Sequence, residues 1–323
     1  MASLALGAFA VGADAQPAGS ANRVGYLVAT SYLHPNFSSL FHNALNDLGY
    51  VEGRNLVVES RLSAGRDDRL GALAAELVQA RVKIIVADGI AAALAAKQTT
   101  KHLPIVVAIG GDPVATGLVT SLARPGGNVT GVTVLALDLL AKRLQLLKEV
   151  NPRLTRVGVL WNPLNAEKEL EWQQLSALAP RLNLTLQSLE VRSPQDIDPA
   201  LRSAPAQRVG GLLVLDDSLV LANASPIVDA AQKYRLPTIY AWRLFVDGVV
   251  IQPGGLMSYG PNLFDVAATV AGLVDKILRG ANPADLPIEQ PTKFELVVNL
   301  RAARALNVTI PPSLLVRADS VVR

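Results

Sequence analysis

The chain has 323 residues, half of them hydrophobic, 18% charged and only 5% aromatic, with a net charge of +3. That is material for one large or two ordinary α/β domains whose cores are built from Val, Leu, Ile and Ala. It has no Cys and three His, none spaced i,i+4, which excludes thiol nucleophiles, disulfides and Cys-based metal centres and leaves no His zinc motif.

The positive charges are dispersed, with no Lys/Arg run of five or more, so the basic pI near 9.2 reads as a slightly basic surface rather than a nucleic-acid footprint. The start differs from the rest. Met1 to Val11 is small and apolar, Ala13-Asp14-Ala15 fits a small-x-small cleavage site, and Gln16 to Asn22 is a polar tether. Residues 1–22 are therefore expected to be a signal-peptide-like segment and tether, although no basic residue precedes the apolar run; an Ala-rich tail is the alternative. The run is too short to span a bilayer.

From Arg23 onward apolar runs alternate with amphipathic stretches. Strands are predicted at 23–29, 55–61, 82–89, 104–110 and 128–134, with helices over 35–50, 67–81, through Lys97 and through Leu122. Phe37, Leu40, Phe41, Ala44, Leu45 and Leu48 share one face of the first helix, and Gly49 can end it. Continuous apolar strands between amphipathic helices imply a parallel sheet covered on both faces.

The pattern then restarts: Arg23-Val-Gly-Tyr-Leu27 recurs as Arg156-Val-Gly-Val-Leu160, and Leu103-Pro104 recurs at the same offset as Leu236-Pro237. Further strands are expected near 156–162, 184–191, 210–217 and 236–242, a long helix from Asn262 to Arg279, and a return between lobes over 287–300. The reading is α/β, with two Rossmann-like lobes built on parallel sheets. The first lobe takes 23–133 plus about 250–285, the second 134–249 plus about 286–323. No helix-turn-helix segment precedes the first lobe, which argues against a repressor.

In such sheets ligands sit at the carboxyl ends of the strands. That nominates Ala29-Thr30-Ser31, Asp88-Gly89-Ile90, Gly110-Gly111-Asp112-Pro113, Trp161 to Asn165, Leu215 to Ser218 and Tyr240-Ala241-Trp242. Gly110-Gly111 allows close backbone approach, and Pro113 at a first helical turn would leave the Val114 and Ala115 N–H groups free. Asp112 suits an N-cap, with or without ligand contact. Neither GxxxxGK[ST] nor a GxGxxG after a strand occurs, so phosphate and dinucleotide binding are unsupported.

Asp216-Asp217 interrupts a buried strand. One carboxylate could meet a ligand ammonium, or the pair could be a strand-end turn with one Asp capping the next helix. Asn162 and Asn165 could bond a ligand or simply form a turn. Tyr240, Trp242 and Tyr259 could stack on a solute or pack in the core. Catalysis is poorly supported. His34 alone is at a strand-end loop, no GxSxG elbow exists, and adjacent Asp216 and Asp217 would point to opposite faces of a strand.

The run Gly111-Asp112-Pro113 through Pro125-Gly-Gly-Asn-Val-Thr-Gly131 resembles the signature of an ABC-transporter substrate-binding protein family, whose known ligands are chiefly aromatic amino acids. Leu48-Gly-Tyr-Val-Glu-Gly-Arg-Asn55, Gly255-Leu-Met-Ser-Tyr-Gly-Pro261, Pro283 to Leu296 and Ile310-Pro-Pro-Ser-Leu-Leu315 also fit, so the resemblance covers about residues 23 to 323. It implies a type I periplasmic binding (Venus-flytrap) fold and an exported, soluble, periplasmic monomer. It implies a receptor for a small solute, an amino acid or related carboxylate, that hands it to an inner-membrane ABC permease. No cofactor, metal, nucleic acid or catalytic residue is implied.

The chain departs from the family where Gly-Thr is usual after the third strand and Gly89-Ile90 stands instead. It departs also at Asp216-Asp217-Ser218, and in extra residues within Phe245 to Gly255. The expected ligand contacts are Thr30, Ser31, Gly89, Ile90, Gly111 and Asp112 from the first lobe, and Asn162, Asp216 and Tyr240 from the second, with Tyr259 near the rim. Asp216 is the expected ammonium partner. The rivals are a doubly wound transferase or hydrolase using Asp112 or His34, and a ligand sensor feeding a membrane receptor.

Overall fold

A computed structural model describes residues 21–29, 34–64, 66–134, 136–248, 251 and 254–323. The expected contacts Thr30 and Ser31, and residues 1–20 of the signal-like segment and tether, lie outside the described residues, while Asn22, expected in the tether, opens the first strand.

The first half runs β1 (Asn22–Val28), α1 (His34–Asp47), β2 (Leu56–Leu62), α2 (Leu70–Gln79), β3 (Ile84–Asp88), α3 (Ile90–Thr99), β4 (Ile105–Gly110) and β5 (Val129–Thr133). α1 forms because Phe37, Phe41 and Leu45 recur every four residues and all three are buried against the sheet. Gly49, at φ +89°, ends the turn beyond it. β3 is buried along its whole length; residues 84–87 are apolar, as a central parallel strand requires, and Asp88 ends it.

The predicted helix through Leu122 is not formed: residues 113–117 make turns. Gly117 sits at φ +70°, and the carbonyls of Gly117 and Leu118 accept from the Lys97 ammonium at 3.3 and 2.6 Å instead of from a following helical turn. Leu118 and Val119 are buried and anchor the segment. Gly131 in β5 is a close-approach glycine: at φ +146° its backbone lies against that of Val107, where a Cβ would overlap.

The second half repeats the plan. It runs α4 (Ala136–Val150), β6 (Arg156–Trp161), α5 (Ala166–Leu178), β7 (Thr185–Glu190), α6 (Ile197–Ser203), β8 (Gly211–Val214), α7 (Ser218–Ala222), α8 (Ala224–Lys233), β9 (Thr238–Tyr240) and β10 (Met257–Pro261). There follow α9 (Leu263–Leu278), β11 (Ile288–Glu289), β12 (Phe294–Asn299), α10 (Leu300–Leu306), α11 (Pro312–Arg317) and β13 (Ser320–Val322).

The sheet orders are β11-β5-β4-β3-β1-β2 and β13-β12-β10-β9-β8-β6-β7. The repeat read from the sequence is thus a repeat of topology: β1 and β6, opened by the matching pentapeptides, hold the same place in their sheets. All neighbours pair in parallel except β10 and β12.

The crossings fall later than the expected boundaries near 250 and 286. β10 pairs with β9 in the second sheet, while β11 pairs with β5 in the first. Between them α9 packs on α1 and β4 of the first lobe. Its buried stripe of Val266, Val270, Val274 and Ile277 needs that apolar surface. Asn262 caps it, accepting from Phe264 N at 2.9 Å, and Tyr50 OH donates to Asp275 at 2.8 Å. The chain therefore passes between lobes after β5, after β10 and between β11 and β12.

Candidate functional site

Both sheets end their parallel strands toward one cavity of about 350 Å³ between the lobes. The first lobe supplies Asp67, Asp88, Gly89, Ile90 and Gly111; the second supplies Arg143, Asn165, Glu167, Lys168, Glu171, Asp216, Asp217 and Trp242. Six carboxylates and two cations thus line one cleft.

Asp88 ends β3 and is only 5% exposed. Burial pushes its carboxyl up to about 6, against the stabilising donation from Tyr26 OH at 3.4 Å. After it Gly89 turns at φ +93° and α3 begins with no side-chain cap, its first residues Ile90 and Ala91 lining the cavity. Asp67, in a short 3-10 turn after β2, is held above the usual carboxylate range by burial, then by Asp217 from the opposite lobe, then by Asp68.

The second lobe presents the first turns of α5. Asn165 caps it, accepting from Glu167 N at 3.0 Å. Lys168 donates to Glu171 at 2.6 Å, with Glu167 at 3.5 Å. Burial opposes the lysine charge, but Glu167, Glu171 and Asp216 outweigh it and raise its pKa. Burial lifts Glu171 to about 7; Lys168 opposes that rise, whereas Glu167 and Asp216 add to it. The Glu167 carboxylate reaches across the cleft to Gly111, where a Cβ would overlap it. The Thr133 hydroxyl donates to the Gly111 carbonyl and ties that loop to β5.

The two adjacent aspartates divide the roles left open by the sequence. Asp217 is the cap of α7, its Oδ1 accepting from Val220 N at 2.9 Å and its Oδ2 from Asn162 Nδ2 at 2.8 Å. Burial raises its pKa and those hydrogen bonds oppose the rise. Asp216 Oδ2 accepts from the Trp242 indole N–H at 2.7 Å, while Oδ1 has no hydrogen-bond partner among the described residues. Asp216 is thereby oriented at the cavity with one oxygen available.

Of the expected contacts, Gly89, Ile90, Gly111 and Asp216 line the cavity. Asp112 does not: its Oδ1 accepts from Val114 N and Ala115 N at 2.9 Å each, so the N–H groups expected to be free are taken. Asn162 orients Asp217 and bonds Leu164 N, behind the cavity wall. Tyr240 is fully buried and stacks on Phe245 at 4.6 Å between ring centres. β9 ends at Tyr240, whose ring is sealed in the core of the second lobe, and the chain bends after it, so that Trp242, beyond the strand, lines the cavity while its ring also packs on that core. Tyr259 packs against Phe294 and contributes only its carbonyl, which accepts from Arg143 Nε at 2.7 Å.

Asp67, Arg143, Glu167, Lys168 and Glu171 were not foreseen as cavity residues, and Asp88 was foreseen only as part of a strand-end loop. A signal for three of them existed. Arg143 interrupts the Leu139, Leu140, Leu144 and Leu147 stripe of α4, and Lys168 and Glu171 sit seven and four residues before Leu175, on the same face of α5. Charges at core positions of an amphipathic helix mark a site or a buried ion pair. Among the described residues there is no cluster of metal-ligating side chains and no helix long and apolar enough to cross a membrane.

The family model of the ABC transporter substrate binding protein matches residues 36–322. A curated protein named tyrosine-binding protein, from Clostridioides difficile, is 25% identical over 278 residues, 85% of this chain and 78% of that protein. Among solved structures, a conserved domain protein from Vibrio cholerae superposes with a TM-score of 0.86 at 26% identity, covering 94% of this chain and 100% of that one. An ABC domain in complex with L-Trp from Streptococcus pneumoniae gives 0.84 at 24% identity, again covering 94% and 100%. Its neighbours carry the same two-lobed α/β fold, and the chain belongs to the ABC transporter substrate-binding protein family.

Proposed function

We propose that this family member is the extracytoplasmic receptor of an ABC importer and takes a small solute, an amino acid, into the cleft between its lobes. The observation that carries the reading is the interlobe cavity of about 350 Å³, within the size range of small-molecule sites, with Asp216 offering an unpartnered carboxylate oxygen. An ammonium there gains a charge-assisted hydrogen bond. The tyrosine-binding relative supports an amino acid as the solute. The acid excess counts against a solute that carries only a carboxylate, because closing the lobes on it would bury like charges together.

In this reading residues 1–15 are removed on export, the receptor is a monomer, and closure around the solute presents both lobes to a permease. Only contacts better made in the closed state shift the population toward it. The family supports binding rather than turnover, and the wall groups Asp217 and Lys168 are engaged in a helix cap and an ion pair.

The test is a thermal-shift screen on protein lacking residues 1–15, unfolded and refolded to strip any carried-over solute. Ligand at a hundred times its dissociation constant stabilises by roughly 2.7 kcal/mol. A stabilising L-amino acid recovered chemically unchanged, with binding lost in Asp216→Ala, is the expected result. Conversion of the hit to a product, or full affinity in Asp216→Ala, would overturn the receptor reading or the ammonium role respectively.

A further inference from the structure

Two cations line the cavity, and they are not in the same state. The Lys168 ammonium is already committed, at 2.6 Å from Glu171 and 3.5 Å from Glu167. Arg143 is 4% exposed, and only its Nε has a partner, the Tyr259 carbonyl at 2.7 Å. Its two Nη groups donate to nothing among the described residues, and no carboxylate there is near enough to make an ion pair with them. Neither Nη is among the sealed, partnerless buried atoms, so both retain access to the cavity that Arg143 lines. Asp216 and Glu171 act on the guanidinium through space only.

A buried guanidinium left with unmet donors is costly unless something fills the fork. The Nε bond to Tyr259, on β10 just before the second crossing, fixes the plane from which the fork projects. A planar fork of N–H donors matches a carboxylate in two-point contact. The other route for an anion, the uncapped start of α3, lies next to the Asp88 carboxylate, which disfavours a second negative group there.

We propose that Arg143 is the anion receptor of the cleft, its Nη fork taking the solute carboxylate while Asp216 faces the ammonium. This rests on the solute-receptor reading above and narrows it: the ligand is held by the second lobe at both charged ends. Arg143 then discriminates an amino acid from its decarboxylated amine, and Lys168 serves as counter-charge for Glu167 and Glu171 rather than as a ligand contact.

The experiment is titration calorimetry on ligand-stripped protein with L-tyrosine, L-tryptophan and L-phenylalanine, each beside its decarboxylated partner tyramine, tryptamine and phenethylamine. For wild type, loss of the carboxylate should weaken binding roughly tenfold to a hundredfold, the worth of a charge-assisted bidentate contact. In Arg143→Gln the gap between acid and amine should close to within about twofold, with the amine binding as it does to wild type. Equal binding of acid and amine by wild type overturns the assignment and leaves the receptor reading intact. So does an equal loss for both in Arg143→Gln, which would mean that Arg143 acts only by holding Tyr259. Should Arg143→Gln fail to fold, the methyl ester of the bound amino acid decides on wild type. Undiminished ester binding overturns the proposal; a loss like that of the amine supports it. Binding of amines alone overturns it as well, and heat from no probe at all removes the aromatic amino acid reading together with it.

Discussion

Asp88→Asn should stabilise the ligand-free protein at neutral pH. Asp88 is 5% exposed at the end of β3, its recorded hydrogen bond is the 3.4 Å one from Tyr26 OH, and burial lifts its pKa from 3.8 to about 6. That rise of about 2 units, at 1.36 kcal/mol per unit, corresponds to about 3 kcal/mol. The sign follows from proton linkage. The folded protein holds the proton more tightly than the unfolded chain, so stability is highest below the unfolded pKa. It falls as pH rises from about 4 to about 6 and levels off above. Asparagine keeps the shape and can still accept from Tyr26, but never ionises. Urea unfolding of ligand-stripped wild type and Asp88→Asn, followed from about pH 4 to about pH 8, measures the difference. The variant should gain up to about 3 kcal/mol at the alkaline end and almost nothing at the acid end. A gap that does not change with pH, or a variant less stable at about pH 8, would refute the account of Asp88 as a buried, unpaired carboxylate.

Two further outcomes follow from contacts already described. Gly111→Ala places a methyl group where the Glu167 carboxylate crosses the cleft, so it should weaken solute binding several-fold with little effect on ligand-free stability. The same change made in a Glu167→Ala background should cost almost nothing, a coupling read by calorimetry in a double-mutant cycle. Asn262→Ala removes the acceptor that caps α9 and should lower stability by about 0.5 to 2 kcal/mol in urea unfolding, with cleft residues untouched.

Local chemistry made much of the fold legible. The short apolar run of residues 84–87, bounded by Lys83 and Asp88-Gly89, reads as a central strand, and the four-residue recurrence of Phe37, Phe41 and Leu45 reads as a buried helix face. The internal repeat disclosed two lobes, since β1 and β6 open on near-identical pentapeptides. Strand-end logic also located the cleft: Gly89, Ile90, Gly111 and Asp216 all line it. Asp112, Asn162, Tyr240 and Tyr259 do not line it, because a nominated loop does not say where each side chain points. Tyr240 and Trp242 are two residues apart, yet one is sealed in the core and the other holds Asp216.

What the sequence determined by itself was therefore the class of fold, the doubling and the rim of the site, because hydrophobic periodicity and turn chemistry are local properties. Only the tertiary structure decided which charges meet. Asp67 and Asp217 come from opposite lobes, Arg143 reaches Tyr259 across 116 residues, and Glu167 rests on Gly111. Those encounters depend on how two sheets face each other across three crossings of the chain. A carboxylate becomes a buried carboxylate, and a guanidinium fork an unfilled one, only once both walls of the cleft stand in place.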